Sequence, residues 1–294
     1  METIREIVSF SHDGIVHMWY PFSVDLDPNN SIISAEYYYE VGELFSLLLS
    51  MFATNNHQPE IMNKENLSDS KKFLTGELKK RTECSVTFKT DTNQYRLQRC
   101  FYGNYSLEAK LHKNDSPIVH YGQNAIQMLR KFHKPFIIIN QALFNNGSSI
   151  LKPENDFTRN SMVSMANNWA RMIGINDSRI KLDYAGRWST SDGVHSFHSR
   201  RNSHRTNMPS PLLILTYLAQ AVMRKRKYGK SPPVFSPLNV ESLNGFEAIA
   251  MLDLIKCVAS EESIQFIVAV NEKPEINSML DVISTPKMSI YEKN

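Results

Sequence analysis

The stretch that most constrains this chain is residues 30–53, Asn-Ser-Ile-Ile-Ser-Ala-Glu-Tyr-Tyr-Tyr-Glu-Val-Gly-Glu-Leu-Phe-Ser-Leu-Leu-Leu-Ser-Met-Phe-Ala. A β-prone run at 31–34 leads through a tight connection into an apolar helix that begins near Gly42. A strand, loop and helix in this order is the arrangement in which a helix N-terminus cradles a phosphate. A cradle also needs glycines, so that backbone N–H groups can approach the phosphates, and a Lys and a Ser/Thr for charge and Mg²⁺. The loop here reads Ala35, Glu36, Tyr37, Tyr38, Tyr39, Glu40, Val41, Gly42, Glu43. It supplies three rings and three carboxylates. The scaffold of a nucleotide site is expected, without the site.

The chain has 294 residues, enough for one large domain or two modest ones. Its longest apolar runs, 45–52 and 136–139, fall far short of the about 20 residues that cross a bilayer. The opening Met-Glu-Thr-Ile-Arg-Glu lacks the basic-then-apolar build of a signal peptide. Cys84, Cys100 and Cys257 are too widely spaced for a disulfide framework or a cysteine-based zinc site. A cytoplasmic protein is expected, with no membrane partner. The net charge of +3 is too small to imply nucleic acid, so any such reading rests on local clusters.

Residues 4–10 alternate as a strand, 11–14 turn, and 16–20 with 21–26 give a second extended pair. Asp27-Pro28-Asn29-Asn30 breaks the chain, and 54–76 form a polar surface excursion. Strands are predicted at 84–89, 94–99 and 106–112, with hairpin turns at 91–93 and 102–104. A short helix over 123–133 carries Ile126, Leu129 and Phe132 on one side, Pro135 stops it, and 135–139 is a buried strand. Helices follow over 156–173, 211–227 and 241–259, with strands at 234–235 and 264–270; the last twenty residues are a weakly patterned tail. The loop Asn145-Asn146-Gly147-Ser148-Ser149 sets a lobe boundary near 148. The expectation is a two-lobed α/β fold: 1–148 with antiparallel strands and the strand–loop–helix unit, 149–294 with helices and buried strands.

Taken together, residues 7–48, 84–101, 141 and 211–271 resemble the ATPase head of the structural-maintenance-of-chromosomes (SMC) and RecF-like ABC proteins, a two-lobed P-loop NTPase fold. Trp19-Tyr20-Pro21-Phe22-Ser23-Val24-Asp25-Leu26-Asp27 followed by Ile32-Ile33 is similar to the strand and hairpin that open the family's head. The family's I-V-G-E-N-G-S-G-K-S-T-L can be laid on residues 33–44 without a gap. Its glycines then fall on Ala35, Tyr38 and Glu40, its lysine on Val41 and its Mg²⁺-binding serine on Gly42. The segments 86–88 and 95–99 look like the "Thr-Phe" and "Tyr-x-Leu-x-Arg" strands that follow. Gln141 stands where the family has its metal-sensing glutamine. Phe235, in Val-Phe-Ser-Pro-Leu, stands where the Mg²⁺-ligating aspartate of the Walker B strand is found, and Asn271 where the switch histidine is. No L-S-G-G signature occurs in 183–212, and the long coiled-coil arms usual between the lobes are missing.

The resemblance therefore implies a degenerate head. Losing the lysine removes charge-assisted hydrogen bonds worth about 1.5–3 kcal/mol each to phosphate. Glu36, Glu40 and Glu43 add repulsion toward a polyanion, and without the Walker B carboxylate the metal is lost too. Neither ATP hydrolysis by the family mechanism nor a bound cofactor is expected.

Other clusters bear on partners. His195, His198 and His204 include an H-x-x-H pair of the kind that ligates zinc. The run holds no Cys, Asp or Glu to close a site, and its arginines repel a cation, so a solvated loop is the preferred reading. Arg187, Arg200, Arg201 and Arg205, interleaved with serines, read better as anion contacts. Arg224, Lys225, Arg226 and Lys227 join them from a helix C-terminus, where the macrodipole by itself favours cations. Both clusters are candidates for the phosphate backbone of DNA. Tyr37, Tyr38 and Tyr39 form either a contact surface or packing over the empty cradle. No nucleophile elbow (G-x-S-x-G) occurs.

The expected function is a non-catalytic ATPase-head-like subunit, a scaffold or regulator in a DNA-associated complex of genome defence or repair. Its partner would be a protein, such as an active ATPase or effector subunit. Two alternatives stay open: a metal-dependent nuclease or phosphohydrolase using 187–205, and a protein-interaction module without nucleic acid.

Overall fold

Alternation of apolar and polar residues makes much of the first half an antiparallel sheet with one dry face. The computed structural model describes residues 2–13, 22–28, 30–35, 48, 50–54, 82–102, 105–114, 116–137, 156–176, 179–182, 188–190, 211–238, 243, 245–271 and 287–289. Strands β2 (Glu6–His12), β3 (Phe22–Asp25), β5 (Thr82–Lys89), β6 (Gln94–Tyr102), β7 (Tyr105–Lys113) and β8 (Val119–Tyr121) form six antiparallel strands in the order β3-β2-β5-β6-β7-β8. Phe10, Val86, Phe88, Leu97 and Leu111 point inward and are buried, whereas Ser11, Ser85, Arg96, Gln98 and Lys110 alternate to the solvent side.

The second sheet is parallel. Strands β10 (Phe136–Ile137), β13 (Val234–Leu238), β14 (Phe266–Asn271), β4 (Asn30–Ala35) and β15 (Lys287–Ser289) lie in that order. A parallel sheet is covered on both faces, which is why 234–235 and 266–268 read as unbroken apolar runs. The period of two then splits them between two cores. Val234, Phe266, Val268 and Val270 pack toward the helices, and Phe235 and Ile267 pack toward the antiparallel sheet. Because β4 and β10 precede residue 148 and the other three strands follow it, segments from both sides of that position share one sheet.

Four helices complete the described fold: α1 (Gly122–Leu129), α2 (Asp156–Met172), α3 (Pro211–Tyr228) and α4 (Gly245–Glu262). Residues 211–222 of α3 are buried on every side, as a helix apolar all round must be. Short pairs tie the ends: β1 (Glu2–Thr3) runs parallel to β9 (Phe132–His133), and β11 (Ile180–Leu182) forms a hairpin with β12 (Trp188–Thr190).

Most of the described elements fall where the sequence places them, and several differ. The expected helix over 123–133 ends at Leu129, and Phe132–His133 is strand β9. Phe132 leaves the helical path because its ring sits edge-on to Phe88 and Tyr95, at 5.5 and 5.0 Å between centroids. The weakly patterned tail contributes β15, which pairs Lys287–Ser289 with Ile32–Ser34. A three-residue edge strand has too few positions to show a period of its own. The helix expected over 241–259 runs from Gly245 to Glu262. The strand expected at 16–20 lies outside the described residues.

One side chain joins the two sheets. Gln265, 2% exposed, accepts a hydrogen bond on Oε1 from the backbone N–H of Ile7 at 2.7 Å. Its Nε2 donates to the carbonyls of Ile7 and Asp27 at 2.9 and 2.8 Å. Strand β3 stops opposite Ser9, so the outward backbone groups of Ile7 have no ladder partner. The carboxamide, with one donor side and one acceptor, takes the place of the missing strand residue. Asp91, at the β5–β6 turn, adds a partly exposed bridge to Arg5 and, at 2.9 Å, to Lys230. Exposed pairs of this kind contribute at most about 1 kcal/mol.

Gln265→Ala strands two buried backbone groups, so a loss of about 3 kcal/mol is expected in urea denaturation. A change within about 0.5 kcal/mol would show that the carboxamide is not what joins the sheets.

Candidate functional site

In an open parallel sheet, ligands bind outside the carboxyl ends of the strands. Register defines that edge here. Ser34 of β4 is level with Val270 of β14, Val270 with Leu238 of β13, and Ala35 with Asn271. Strand β4 therefore ends beside the end of β14. Asn271, expected in the place of a switch histidine, is the backbone neighbour of Ala35.

Phe235 is not at this edge. It pairs with Ile137 and Ile267 as the second residue of β13, fully buried in the core beneath the antiparallel sheet. Leu238 lies three positions farther on, about 10 Å along a strand. The residues that reach the edge are Pro237 and Leu238, the latter fully buried. The position that the resemblance gives to the Mg²⁺-ligating aspartate thus carries a buried aromatic ring, ahead of the strand's end. The short apolar run offered no marker of where the strand ends, and the sequence reading cut it at two residues.

Farther along the chain, Leu48, Ser50 and Met51 are helical, and the end of that helix is held by a residue whose role the sequence pattern did not show. Arg99, 2% exposed, donates from one guanidinium nitrogen to the carbonyls of Ser50, Met51 and Ala53 at 2.7, 3.1 and 2.9 Å. These are the unpaired oxygens that every helix C-terminus leaves, and a cation there also meets the negative end of the macrodipole. Burial lowers the Arg99 pKa to about 10, so it stays charged at neutral pH. One signal existed: Tyr95, Leu97 and Arg99 fall on the inward side of β6, and an inward arginine needs acceptors.

Arg99 shares its row of the sheet with Cys84 of β5 and His12 of β2. Burial pushes the His12 imidazole down to about 4 and, with Asp13 nearby, pushes the Cys84 thiol up. At pH 7 the imidazole is neutral and the thiol is protonated, which makes Cys84 a poor nucleophile. The row is packing built around one captured cation.

The basic run at the end of α3 divides. Successive residues step about 100° round a helix, so four in a row cannot share a face. Arg226 Nε donates to Glu262 at 2.9 Å. Arg224 is half-buried, and desolvation lowers its pKa. Its guanidinium and the Lys227 ammonium lie over the Tyr228 ring at 5.8 and 5.0 Å. Lys225 is partly exposed. Glu36 to Glu43, Gln141, Arg187, His195, His198, Arg200, Arg201, His204 and Arg205 lie outside the described residues. Among the described residues no group of three His, Cys, Asp or Glu is placed to hold a metal ion, and no helix is long and apolar enough to cross a membrane.

No protein-family model and no curated protein sequence matches the chain. Solved structures do. An SMC head bound to the C-winged helix domain of ScpA is 13% identical, with a TM-score of 0.55 over 93% of this chain and 92% of that one. An SMC head with an extended coiled coil, bound to the C-terminal domain of ScpA from Pyrococcus furiosus, is 10% identical, with a TM-score of 0.54 over 94% and 92%. The chain has the fold of an SMC-type ABC ATPase head. Its longest described helices have 18 residues, so none of them is a long arm.

His12 carries a pH dependence. Its unfolded pKa is about 6.5 and its folded value is lower, so the unfolded chain takes up the proton first. Stability is expected to fall as pH drops from about 6.5 toward 4, by up to about 3 kcal/mol from this group. Urea titrations across that window should show His12→Phe flattening the loss; an identical slope in the variant would mean that the imidazole is not buried neutral.

Proposed function

We propose that the chain is a non-catalytic ATPase-head-like subunit, a scaffold or regulator in a DNA-associated complex that serves genome defence or repair. The reading rests above all on what stands at the carboxyl edge of the parallel sheet. Beside Ala35 the chain continues as Glu-Tyr-Tyr-Tyr-Glu-Val-Gly-Glu, and β13 ends in Pro237-Leu238. A phosphate cradle on this fold calls for glycine, lysine and a hydroxyl after the first strand and a carboxylate after the other. Three carboxylates and no lysine after the first strand invert that chemistry, and Pro237 and Leu238 at the end of the other supply no carboxylate.

Arg99 supports the same reading. It holds the far end of the helix through protein carbonyls alone, so that end of the strand–loop–helix unit is braced without a nucleotide. A head that does not hydrolyse ATP acts through what it binds. A protein partner is proposed because the similar SMC heads carry ScpA domains. Contact with the phosphate backbone of DNA is proposed for Arg187, Arg200, Arg201 and Arg205. The run at 224–227 is secondary, since Arg226 is already paired with Glu262.

Calorimetry with ATP, with and without Mg²⁺, is expected to show no binding. Saturable binding that is abolished by substitutions in 35–43 would overturn the non-catalytic reading. For DNA, replacing Arg200, Arg201 and Arg205 with Gln should weaken binding and lower the slope of log affinity against log salt by up to about three. An unchanged slope would remove nucleic acid from the proposal.

A further inference from the structure

A groove of ≈ 650 Å³ lies between α2, the last turn of α3 and the C-terminal turn of α4. Its apolar floor is Met165, Trp169 and Val258, with Met165 and Trp169 only partly buried against the helical core. One wall is acidic. Glu262 is taken by Arg226, but Glu261, exposed beside it, has no ion-pair partner among the described residues. The opposite wall is Asn160, Ser164 and Asn168, all exposed and four residues apart along α2; the Asn168 side-chain oxygen accepts from Arg171, which leaves its amide N–H to face a ligand.

That spacing decides the shape of what fits. Four residues of a helix rise about 6 Å, and alternate residues of an extended chain repeat about every 6.6 Å. A row of carboxamide, hydroxyl and carboxamide at this interval meets the same-side polar groups of an extended peptide. A helix lying there would have no unpaired backbone groups to offer. The Glu261 carboxylate and the partly buried Trp169 indole then select the side chain, because a guanidinium or ammonium can meet both. We propose that the groove docks an extended, arginine- or lysine-bearing segment of a partner protein. The site is independent of the nucleotide question, since none of its residues lies at the carboxyl edge of the parallel sheet.

The chain's net charge of +3 opposes indiscriminate attraction of basic peptides, which makes a direct test informative. A fluorescein-labelled Ser-Arg repeat peptide is titrated in polarisation against the full chain, with a Ser-Glu repeat as control. The Ser-Arg peptide is expected to bind and the control is not. Glu261→Lys should weaken binding by about tenfold or more, as loss of an interfacial charge pair does. Trp169→Phe should weaken it by about threefold while keeping an aromatic in the core. Glu108→Lys, an exposed acid on β7 away from the groove, makes the same change in net charge and should leave binding unaltered. Equal binding of the two peptides overturns the proposal. So does Glu261→Lys with unchanged affinity, or Glu108→Lys with an equal loss.

Discussion

The two halves of this fold meet at the carboxamide of Gln265. Where β2 runs past the end of β3, the Ile7 backbone groups would face a dry interior without a ladder partner. One glutamine at the start of β14 answers both groups and also reaches Asp27. The consequence spreads outward, because β14 is hydrogen-bonded to both β13 and β4. Fixing β2 against β14 therefore fixes the antiparallel sheet against the strand that enters the candidate site. The core containing Phe235 and Ile267 is the apolar fill beneath that joint.

The same economy governs the site itself. Strand β4 ends beside β14, and the helix containing Leu48, Ser50 and Met51 is held at its end by Arg99, a cation that the antiparallel sheet delivers from β6. A strand and a helix of this kind normally frame a charged ligand between them. Here the frame is braced by buried protein contacts, while acid and aromatic residues follow the strand.

Much of this was legible in the residues. Long periodic segments such as 156–172, 211–228 and 82–89 announce themselves, because each repeats its pattern over many positions. The resemblance to an ATPase head rested on the order and spacing of such segments, and the fold agrees with it. Short elements were not legible. β9 and β15 have two and three residues, and their pairing partners lie more than a hundred residues away. Register was not legible either, and it moved the edge of β13 from Phe235 to Leu238.

By itself, the sequence determined the layered α/β architecture, the helix over 211–227, and the absence of a lysine from residues 35–43. These are local matters of periodicity and composition. Only the tertiary structure decided that Gln265 closes a gap in a strand it never joins, that Arg99 serves a helix end nearly fifty residues upstream, and that Glu261 borders a groove. Each depends on two distant segments arriving at hydrogen-bonding or van der Waals distance, and a linear pattern holds no record of that separation.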